Sequence, residues 1–369
     1  MSTTAAMLNH SRRALTRHAS AATTAATCSS SFSTSITAST AHASVVRSLH
    51  DFSIEVTPPS FAKLLAKHPS GLGDLLPAGT AVNVTYLPGS DCEETIAVCE
   101  RIAADGMRPV AHVAARSIES EAHLEGYLSG LNERAGVDEV LVVGGGVDTP
   151  KGPFHESMQI LESGLLQRHG IRTIGLACHP EGSPDINDDA LAAALRQKNM
   201  WAAEQLAAGS VDKVYLETQF FFEAEPILEW ERRTTIEEGN RLPVRLGIAG
   251  PTSIKGLIKF AAMSGVGASA RVLTRQAGNL FQLTQTKAPD SVIVGLAEAI
   301  GTHHDAIAAG TLPTPLATSV PAAEAVPSML EGFHFYSFAG VAKTAKWARG
   351  AADGDFTFGD GEETFTVQG

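Results

Sequence analysis

Seven polar side chains stand where apolar runs of this sequence end. They are Glu55, Thr85, His112, Asp148, His179, Gln219 and Tyr336. The runs before them are typical of β-strands, and the carboxyl ends of parallel strands meet at one face of a barrel. We therefore expect these groups to converge on one site, where carboxyl and imidazole groups could transfer protons and the amide could bind a heteroaromatic ring.

Glu55 carries the strongest chemical signal, because it is a lone acid in the apolar segment 53–56. A carboxylate that faces a barrel interior must be hydrated, paired or protonated. A raised pKa would make Glu55 a proton donor near neutral pH, so we interpret it as a candidate general acid. His112 and His179 fit hydrogen-bonded core histidines as well as ligand contacts.

Three glycines, Gly144, Gly145 and Gly146, follow the apolar run 140–143. They permit close approach of the backbone to a ligand, or simply a tight turn. The G-x-G-x-x-G dinucleotide fingerprint is absent, as are a G-x-S-x-G elbow and an H-E-x-x-H pair. The residue patterns alone therefore indicate a barrel enzyme with a carboxyl acid and go no further.

The elements that would hold these residues alternate from residue 52 onward. Apolar runs predict strands at 52–56, 81–87, 108–113, 139–143, 172–177, 213–218, 244–248 and 333–338, and helical patterns lie at 91–104, 119–134, 154–168, 188–206, 224–238 and 252–263. Such alternation over about 300 residues is typical of a (β/α)8 TIM barrel in the α/β class. A doubly wound sheet alternates in the same way but would gather its polar residues near one switch point, so we favour the barrel.

Helix signals refine this pattern at a few positions. Thr252 is the expected N-cap of helix 252–263, and glycines stand where helices should stop, at Gly106, Gly170, Gly209 and Gly239. The crossover before the last strand is long, with helical patterns at 271–285 and 290–309 and a Pro- and Ala-rich stretch at 311–327. In the acidic, Gly-rich tail, residues 356–358 and 364–367 alternate as in a hairpin, and a disordered tail is an equal alternative.

The amino-terminal residues 1–50 differ in composition from the rest. They are rich in Ser, Thr and Ala, include Arg12, Arg13, Arg17 and Arg47, and have no acid before Asp51. This composition is typical of a transit peptide, for which the early arginines favour the mitochondrion over the plastid; a disordered tail is the alternative. We therefore divide the chain into this segment, a catalytic barrel at 51–349 and a tail at 350–369.

Composition also excludes several classes of function. The formal net charge of −12 argues against nucleic acid, because proteins that bind it usually present a basic face. No apolar run approaches the length of about 18 residues that a membrane span needs. The 4 cysteines are too few for a disulfide framework and lack zinc-ligand spacing, so we expect reduced thiols and no metal.

Eight sequence blocks together resemble the methylenetetrahydrofolate reductase family, whose members are FAD-dependent (β/α)8 barrels. The blocks are 54–59 (IEVTPP), 84–86 (VTY), 111–112 (AH), the run into Gly145 and Asp148, 179–181 (HPE), 195–198 (LRQK), 218–223 (TQFFFE) and 333–336 (FHFY). They follow the order of the family and span residues 52 to about 347, nearly the whole expected barrel.

The resemblance implies that NADH or NADPH reduces FAD and leaves, after which 5,10-methylenetetrahydrofolate takes the hydride and becomes 5-methyltetrahydrofolate. It implies that Glu55 is the general acid that helps to open the methylene bridge to an iminium ion, and that Gln219 and Tyr336 contact the folate. The implied flavin contacts are Thr85, Tyr86, His112, Gly145, Asp148, His179 and Lys198, with Lys198 facing phosphate. Relatives generally associate, so a homo-oligomer is expected.

Two departures from the family pattern keep alternatives open. The family often has Arg-Gly-Asp after its fourth strand, so whether Asp148 replaces that flavin-proximal acid is open. It often has Asn-Arg after the tyrosine, where Ser337 and Phe338 stand here, so a basic contact would have to come from Lys343 or Lys346. The alternatives are the same barrel working in the oxidising direction in methyl-group catabolism, a silent folate- or flavin-binding barrel, and a flavin-independent reductase. The choice between NADH and NADPH is also open.

Overall fold

The computed structural model describes residues 40–87, 89–183, 185–263, 286–313, 326–338 and 340–368. The chain divides into two units, Met1–Thr40 and Ala41–Gly369, and the fold described below is that of the second. A helix, α1, covers residues 40–48, and Val45 and Leu49 are buried in the core. The folded region therefore begins before residue 51, where the sequence pattern had placed its start.

Eight parallel strands close into a barrel, which confirms the predicted (β/α)8 fold. The strands of the structure are β1 (Ser53–Val56), β2 (Ala81–Val84), β3 (Arg108–Ala114), β4 (Glu139–Val143), β5 (Thr173–Cys178), β6 (Lys213–Thr218), β7 (Val244–Ala249), β8 (Thr252–Ser253), β9 (Thr286–Lys287), β10 (Leu330–Tyr336), β11 (Phe356–Phe358) and β12 (Phe365–Val367). In the barrel β1 to β7 pair in chain order, and β10 closes the ring between β7 and β1.

Helices follow most of the barrel strands. Their bounds are α2 (Pro58–Lys67), α3 (Cys92–Ala104), α4 (Glu121–Ala135), α5 (Ser157–Glu162), α6 (Leu165–Arg168), α7 (Asp188–Ala207), α8 (Glu225–Glu237), α9 (Ile254–Met263), α10 (Asp290–Ala309) and α11 (Val341–Ala352). Side-chain caps fix several starts; for example, the hydroxyl of Thr57 accepts from the Ser60 amide, and Asn187 accepts from the Ala190 amide. The four expected glycine stops all have positive φ, as predicted.

Successive side chains of each barrel strand point alternately outward, toward the helices, and inward, toward the barrel interior. Outward residues of the strands, such as Ile54 and Val56, join the large apolar core between barrel and helices. Inward residues include Glu55, Asn83 and the polar side chains described below, together with a small apolar cluster of Ala81, Val110 and Leu141. The polar residues of the strands therefore lie inside the barrel.

Several sequence expectations need correction. The expected helix 154–168 is split into α5 and α6 by Gly164, whose φ of +70° interrupts the helix. Helix α9 begins at Ile254, because Thr252 pairs with Lys287 in a short strand; the hydroxyl of Ser253 then accepts from the Gly256 amide. Strand β2 stops at Val84, and β10 begins at Leu330 because its pairing with β7 starts there. The expected helix 271–285 and most of 311–327 lie outside the described residues, whereas helix 290–309 is confirmed.

Of the two states expected for the tail, the structure shows the hairpin. Strands β11 and β12 pair antiparallel, and Phe365 stacks on Trp347 of α11 at 5.6 Å between ring centroids. Phe356 lies 4.5 Å from Phe365 and stacks on His42 of α1 at 4.3 Å. The hairpin is thus attached to the barrel unit by an aromatic cluster.

Candidate active site

Glu55 stands at the carboxyl end of β1 with its side chain directed into the barrel mouth. Its side chain is only 13% exposed, and Oε2 lies 3.5 Å from Nε2 of His112 and 3.8 Å from Nε2 of His334. Burial raises the pKa of Glu55, and the opposing effects of His112 and of a hydrogen bond with Thr85 are smaller. The structure therefore holds the carboxyl of Glu55 in surroundings that favour its neutral, proton-bearing form.

His112 and His334 present unpaired nitrogens to the same space. The Nε2 atoms of both rings are buried and have no hydrogen-bond partner among the described residues. Burial lowers the pKa of both imidazoles, so they are neutral near pH 7. A neutral imidazole carries one donor and one acceptor nitrogen, and His112 can therefore hydrogen-bond a ligand in the mouth.

A second acid, Glu217 of β6, lies deeper in the barrel. Its side chain is 1% exposed, and Asn83 donates to both carboxyl oxygens, at 3.0 and 3.2 Å. Burial raises the pKa of Glu217; His334 and Arg245 oppose that shift, and Glu55 adds to it. The sequence pattern did not predict Glu217 and His334 as site residues. Glu217 had the same signal as Glu55, since it is a lone acid inside an apolar strand.

An ion-pair network lies at the amino-terminal ends of the strands. Arg245 contacts Glu139 at 3.4 Å and Glu331 at 3.3 Å, and the hydroxyl of Tyr215 donates to Glu139 at 2.9 Å. Lys213 completes the network with a 2.7 Å contact to Glu331. Each buried acid here has a cationic partner, so the network balances the charges at these strand ends, which form the floor of the barrel.

His179 and Lys198 form a basic corner at the end of β5. The ammonium of Lys198, on α7, donates to the carbonyl of Ala177 at 2.6 Å, and no carboxylate of the described residues pairs with it. Burial lowers the pKa of Lys198. Burial, and then the charge of Lys198, lower the pKa of His179 to about 4. A buried ammonium without an acidic partner is suited to a phosphate or another anion.

Aromatic surface borders the other side of the mouth, around Gln219 and Tyr336. The Tyr336 hydroxyl donates to the Thr218 carbonyl at 3.1 Å, and its ring stacks on Phe338 at 5.5 Å. Gln219 is half-buried next to Phe220, whose ring meets that of Tyr336 edge to face. Gln219 therefore lies in a segment rich in aromatic side chains, and the contact of its amide with a heteroaromatic ring stays a prediction.

A cavity of about 320 Å³ adjoins this aromatic side, near the ends of β6 and β7. Its apolar wall includes Phe221, Phe222, Ala249 and Leu257. A larger cavity, of about 700 Å³, lies near α1 and is lined by His42, Val46 and His304 among others. Neither cavity is lined by the groups that converge at the mouth, but the wall of the smaller one includes Phe221 and Phe222, which follow Gln219 in the chain.

Two of the expected flavin contacts, Tyr86 and Asp148, are placed differently from the rest. The Tyr86 hydroxyl donates to the Ser90 carbonyl at 3.1 Å and its ring packs against Tyr127, so this side chain faces the surrounding helices. Asp148 is exposed, and the Arg116 guanidinium donates to its main-chain carbonyl. Gly145 has a φ of +95°, in the left-handed region that favours glycine. The structure thus gathers Glu55, Thr85, His112 and Tyr336 but leaves the Tyr86 side chain out.

The remaining polar groups fit the flavin that the resemblance implies. His112 Nε2 is buried and unpaired at the mouth, and the Lys198 ammonium is suited to a phosphate. Added Cβ atoms at Gly144 and Gly146 would meet open space, so the end of β4 leaves room beside the mouth.

Among the described residues no cluster of three or more metal-ligating side chains is found. No described helix is long and apolar enough to cross a membrane.

Comparison with known proteins adds little beyond the architecture. No protein-family model matches the sequence. Among solved structures, a chitinase from Rhizomucor miehei matches over 82% of this chain and 99% of its own, with 12% identity and a TM-score of 0.43. Likeness at that level supports no conclusion about activity, and the barrel fold follows from the strand pairing described above.

Proposed function

We propose that this protein reduces 5,10-methylenetetrahydrofolate to 5-methyltetrahydrofolate, with FAD as cofactor and NADH or NADPH as electron donor. The observation that carries the proposal is the carboxyl of Glu55, buried at the mouth of the barrel with its pKa raised. The sequence blocks that resemble the reductase family supply the identity of the substrate. Import into mitochondria and a homo-oligomeric state stay predictions.

Glu55 acts in this proposal as the general acid. A neutral carboxyl can give its proton to the nitrogen that leaves the methylene bridge, which opens the bridge to an electrophilic carbon that accepts hydride. Ionised glutamate could not do this, and burial at the mouth favours the protonated form of Glu55. The neutral imidazole of His112, 3.5 Å from Oε2, does not compete for that proton near pH 7.

FAD, when bound, supplies the hydride, and the chain's own residues would hold it. His112 offers an unpaired ring nitrogen, and Lys198 offers a buried ammonium for phosphate. Thr85 lies next to Glu55, and its hydroxyl can orient the carboxyl or a ligand. Gln219 with Tyr336 would bind the heteroaromatic ring of the folate, beside the apolar cavity.

Anaerobic absorbance spectroscopy on the full chain loaded with FAD tests this function. NADH or NADPH should bleach the flavin band, and methylenetetrahydrofolate should restore it. Failure to retain FAD would overturn the cofactor assignment and favour the flavin-independent alternative. Bleaching by 5-methyltetrahydrofolate alone would show that the enzyme works in the oxidising direction, and bound flavin that responds to neither donor would indicate a silent barrel.

A further inference from the structure

The interior of the barrel contains a second buried acid that the proposed reaction does not use. Glu217 is 1% exposed and is held by the amide of Asn83, which donates to both of its oxygens. In contrast to the acids of the barrel floor, it makes no ion pair with Lys or Arg among the described residues. Its contact within 4 Å to an ionisable group is with the imidazole of His334. The protonation of Glu217 therefore depends on His334 and on Glu55, which lies on the other side of that ring.

His334 lies between Glu217 and Glu55. Its Nδ1 is 3.8 Å from Oε2 of Glu217, and its Nε2 is 3.8 Å from Oε2 of Glu55. The ring is fully buried, and Nδ1 also contacts the hydroxyl of Ser53 at 2.8 Å. One imidazole thus presents a different nitrogen to each carboxyl, which is the arrangement needed to connect two acids.

The side chains of Glu55 and Glu217 are only 13% and 1% exposed, so solvent screens the interaction between their charges weakly. Two acids next to one neutral ring cannot both ionise at low cost, and they titrate as a pair. The ionisable groups that face this pair from the neighbouring strands are His112, Cys178, Tyr215, Arg245, His334 and Tyr336. Arg245 stabilises an ionised Glu217 more directly than an ionised Glu55, because its charge is coupled to Glu217.

We propose that Glu217 and Glu55 are a coupled pair of acids that share protons through His334, so that a proton stays on Glu55 at the mouth. The proposal rests on the proposed function only in naming Glu55 as the acid that meets the substrate. Glu217 does not reach the mouth; it acts through Glu55 and is a positioning residue for the proton.

The proton transfer balances without a further reactant. When Glu55 has lost its proton, His334 gives it the proton of Nε2 and takes the proton of Glu217 on Nδ1. The ring stays neutral and changes tautomer. The Ser53 hydroxyl donates to Nδ1 before the transfer, must turn away so that the proton of Glu217 can reach that lone pair, and accepts from Nδ1–H afterwards. The negative charge ends on Glu217, where Asn83 donates two hydrogen bonds; each 3.8 Å gap must close to about 3 Å during the transfer.

Infrared titration of the full chain tests the coupling without any turnover. With glutamate labelled by carbon-13 at the side-chain carboxyl, the signals of Glu55 and Glu217, identified by their loss in the two Gln variants, should show proton loss in two separate steps in the wild type. In Glu217→Gln the remaining acid should titrate about one pH unit or more below the upper step of the wild type. In Glu55→Gln the remaining Glu217 should titrate near the lower step of the wild type, because Glu55 is still neutral when Glu217 ionises, and Glu125→Gln on the surface should change neither step. An unchanged midpoint of Glu55 in Glu217→Gln would overturn the proposal.

A kinetic readout separates this role from a structural one. In Glu217→Gln the rate of transfer to the folate should keep its low-pH plateau. The pH at which this rate declines should fall by about one unit or more, as in the infrared titration. A lower plateau with an unmoved decline would mean that Glu217 only supports the fold, and would contradict the proposal. If the wild type does not reduce the folate at all, the function fails while the infrared result still decides the coupling.

Discussion

Oε2 of Glu55 lies 3.5 Å from Nε2 of His112, and among the described residues no Lys or Arg forms an ion pair with Glu55. Burial raises the pKa of the acid and lowers the pKa of the base, so the surroundings favour the neutral form of each group. A proton donor and an unpaired acceptor therefore coexist at the mouth without neutralising each other. This relationship underlies the assignment of Glu55 as the acid.

The first prediction concerns pH. Because the acidic form of Glu55 is the active one, transfer to the folate should be fastest below its raised pKa and should slow as pH rises through it. Reduction of the flavin by NADH or NADPH needs no proton from Glu55 and should lack this decline. Single-turnover rates of the two steps across pH would test this; a folate step that accelerates with rising pH would contradict it.

Lys198 gives the second prediction. If its buried ammonium faces a phosphate of the flavin, Lys198→Gln should weaken FAD binding about 10- to 100-fold, the scale of a charge-assisted hydrogen bond. Arg196→Gln is a matched control, because Arg196 lies on the exposed side of the same helix and pairs with Glu238. Flavin fluorescence titration of both variants measures the effect. Equal affinities would show that Lys198 does not bind the cofactor.

The third prediction tests the tail. Phe365 is 3% exposed and stacks on Trp347, so Phe365→Ala should lower the free energy of unfolding by about 3 kcal/mol through lost packing. Thr366→Ala, at the exposed neighbouring position, should change it by less than about 0.5 kcal/mol. Urea unfolding of both variants measures the difference. Similar values would mean that the hairpin contributes little to the stability of the barrel unit.

The alternation of strands and helices was sufficient to predict the barrel, because each apolar run is short and bounded by glycine or polar residues. The end of β1 was also predicted correctly, so Glu55 lies at the mouth as expected. Gly164 was the missed signal in the expected helix 154–168, since a single residue in a left-handed conformation ends a helix there. The left-handed conformation of Gly164 set this helix boundary, although the helical spacing of apolar residues continued beyond it.

The interior polar layer was not predicted, because the search took polar residues at strand ends. Asn83, Glu217 and Arg245 stand within strands, where their inward direction depends on pairing across the whole barrel. The outward direction of Tyr86 has the same cause: it is one residue beyond Thr85, and alternation turns it to the other face. Distances between strands far apart in sequence, such as Asn83 to Glu217, cannot be read from spacing.

The fourth prediction concerns acid stability. His179 has a pKa of about 4 in the fold, against 6.5 in the unfolded chain, so only the unfolded state takes up its proton between those values. The stability that the neutral ring contributes is present above pH 6.5 and is lost as pH falls toward 4, by up to about 3 kcal/mol. His179→Gln should therefore lose less stability than the wild type between pH 7.5 and 4.5 in denaturant unfolding. Parallel losses in the two proteins would refute the assignment.

The most direct test of the account compares Glu55→Gln with the wild type in separate half-reactions under anaerobic conditions. Glutamine keeps the size and polarity of the side chain but has no acidic proton. Reduction of the flavin by NADH or NADPH should stay within about 3-fold of the wild-type rate, while transfer to methylenetetrahydrofolate should fall by about 100-fold or more. Equal losses in both half-reactions, or an unchanged rate of transfer to the folate, would contradict the role of Glu55 as the acid.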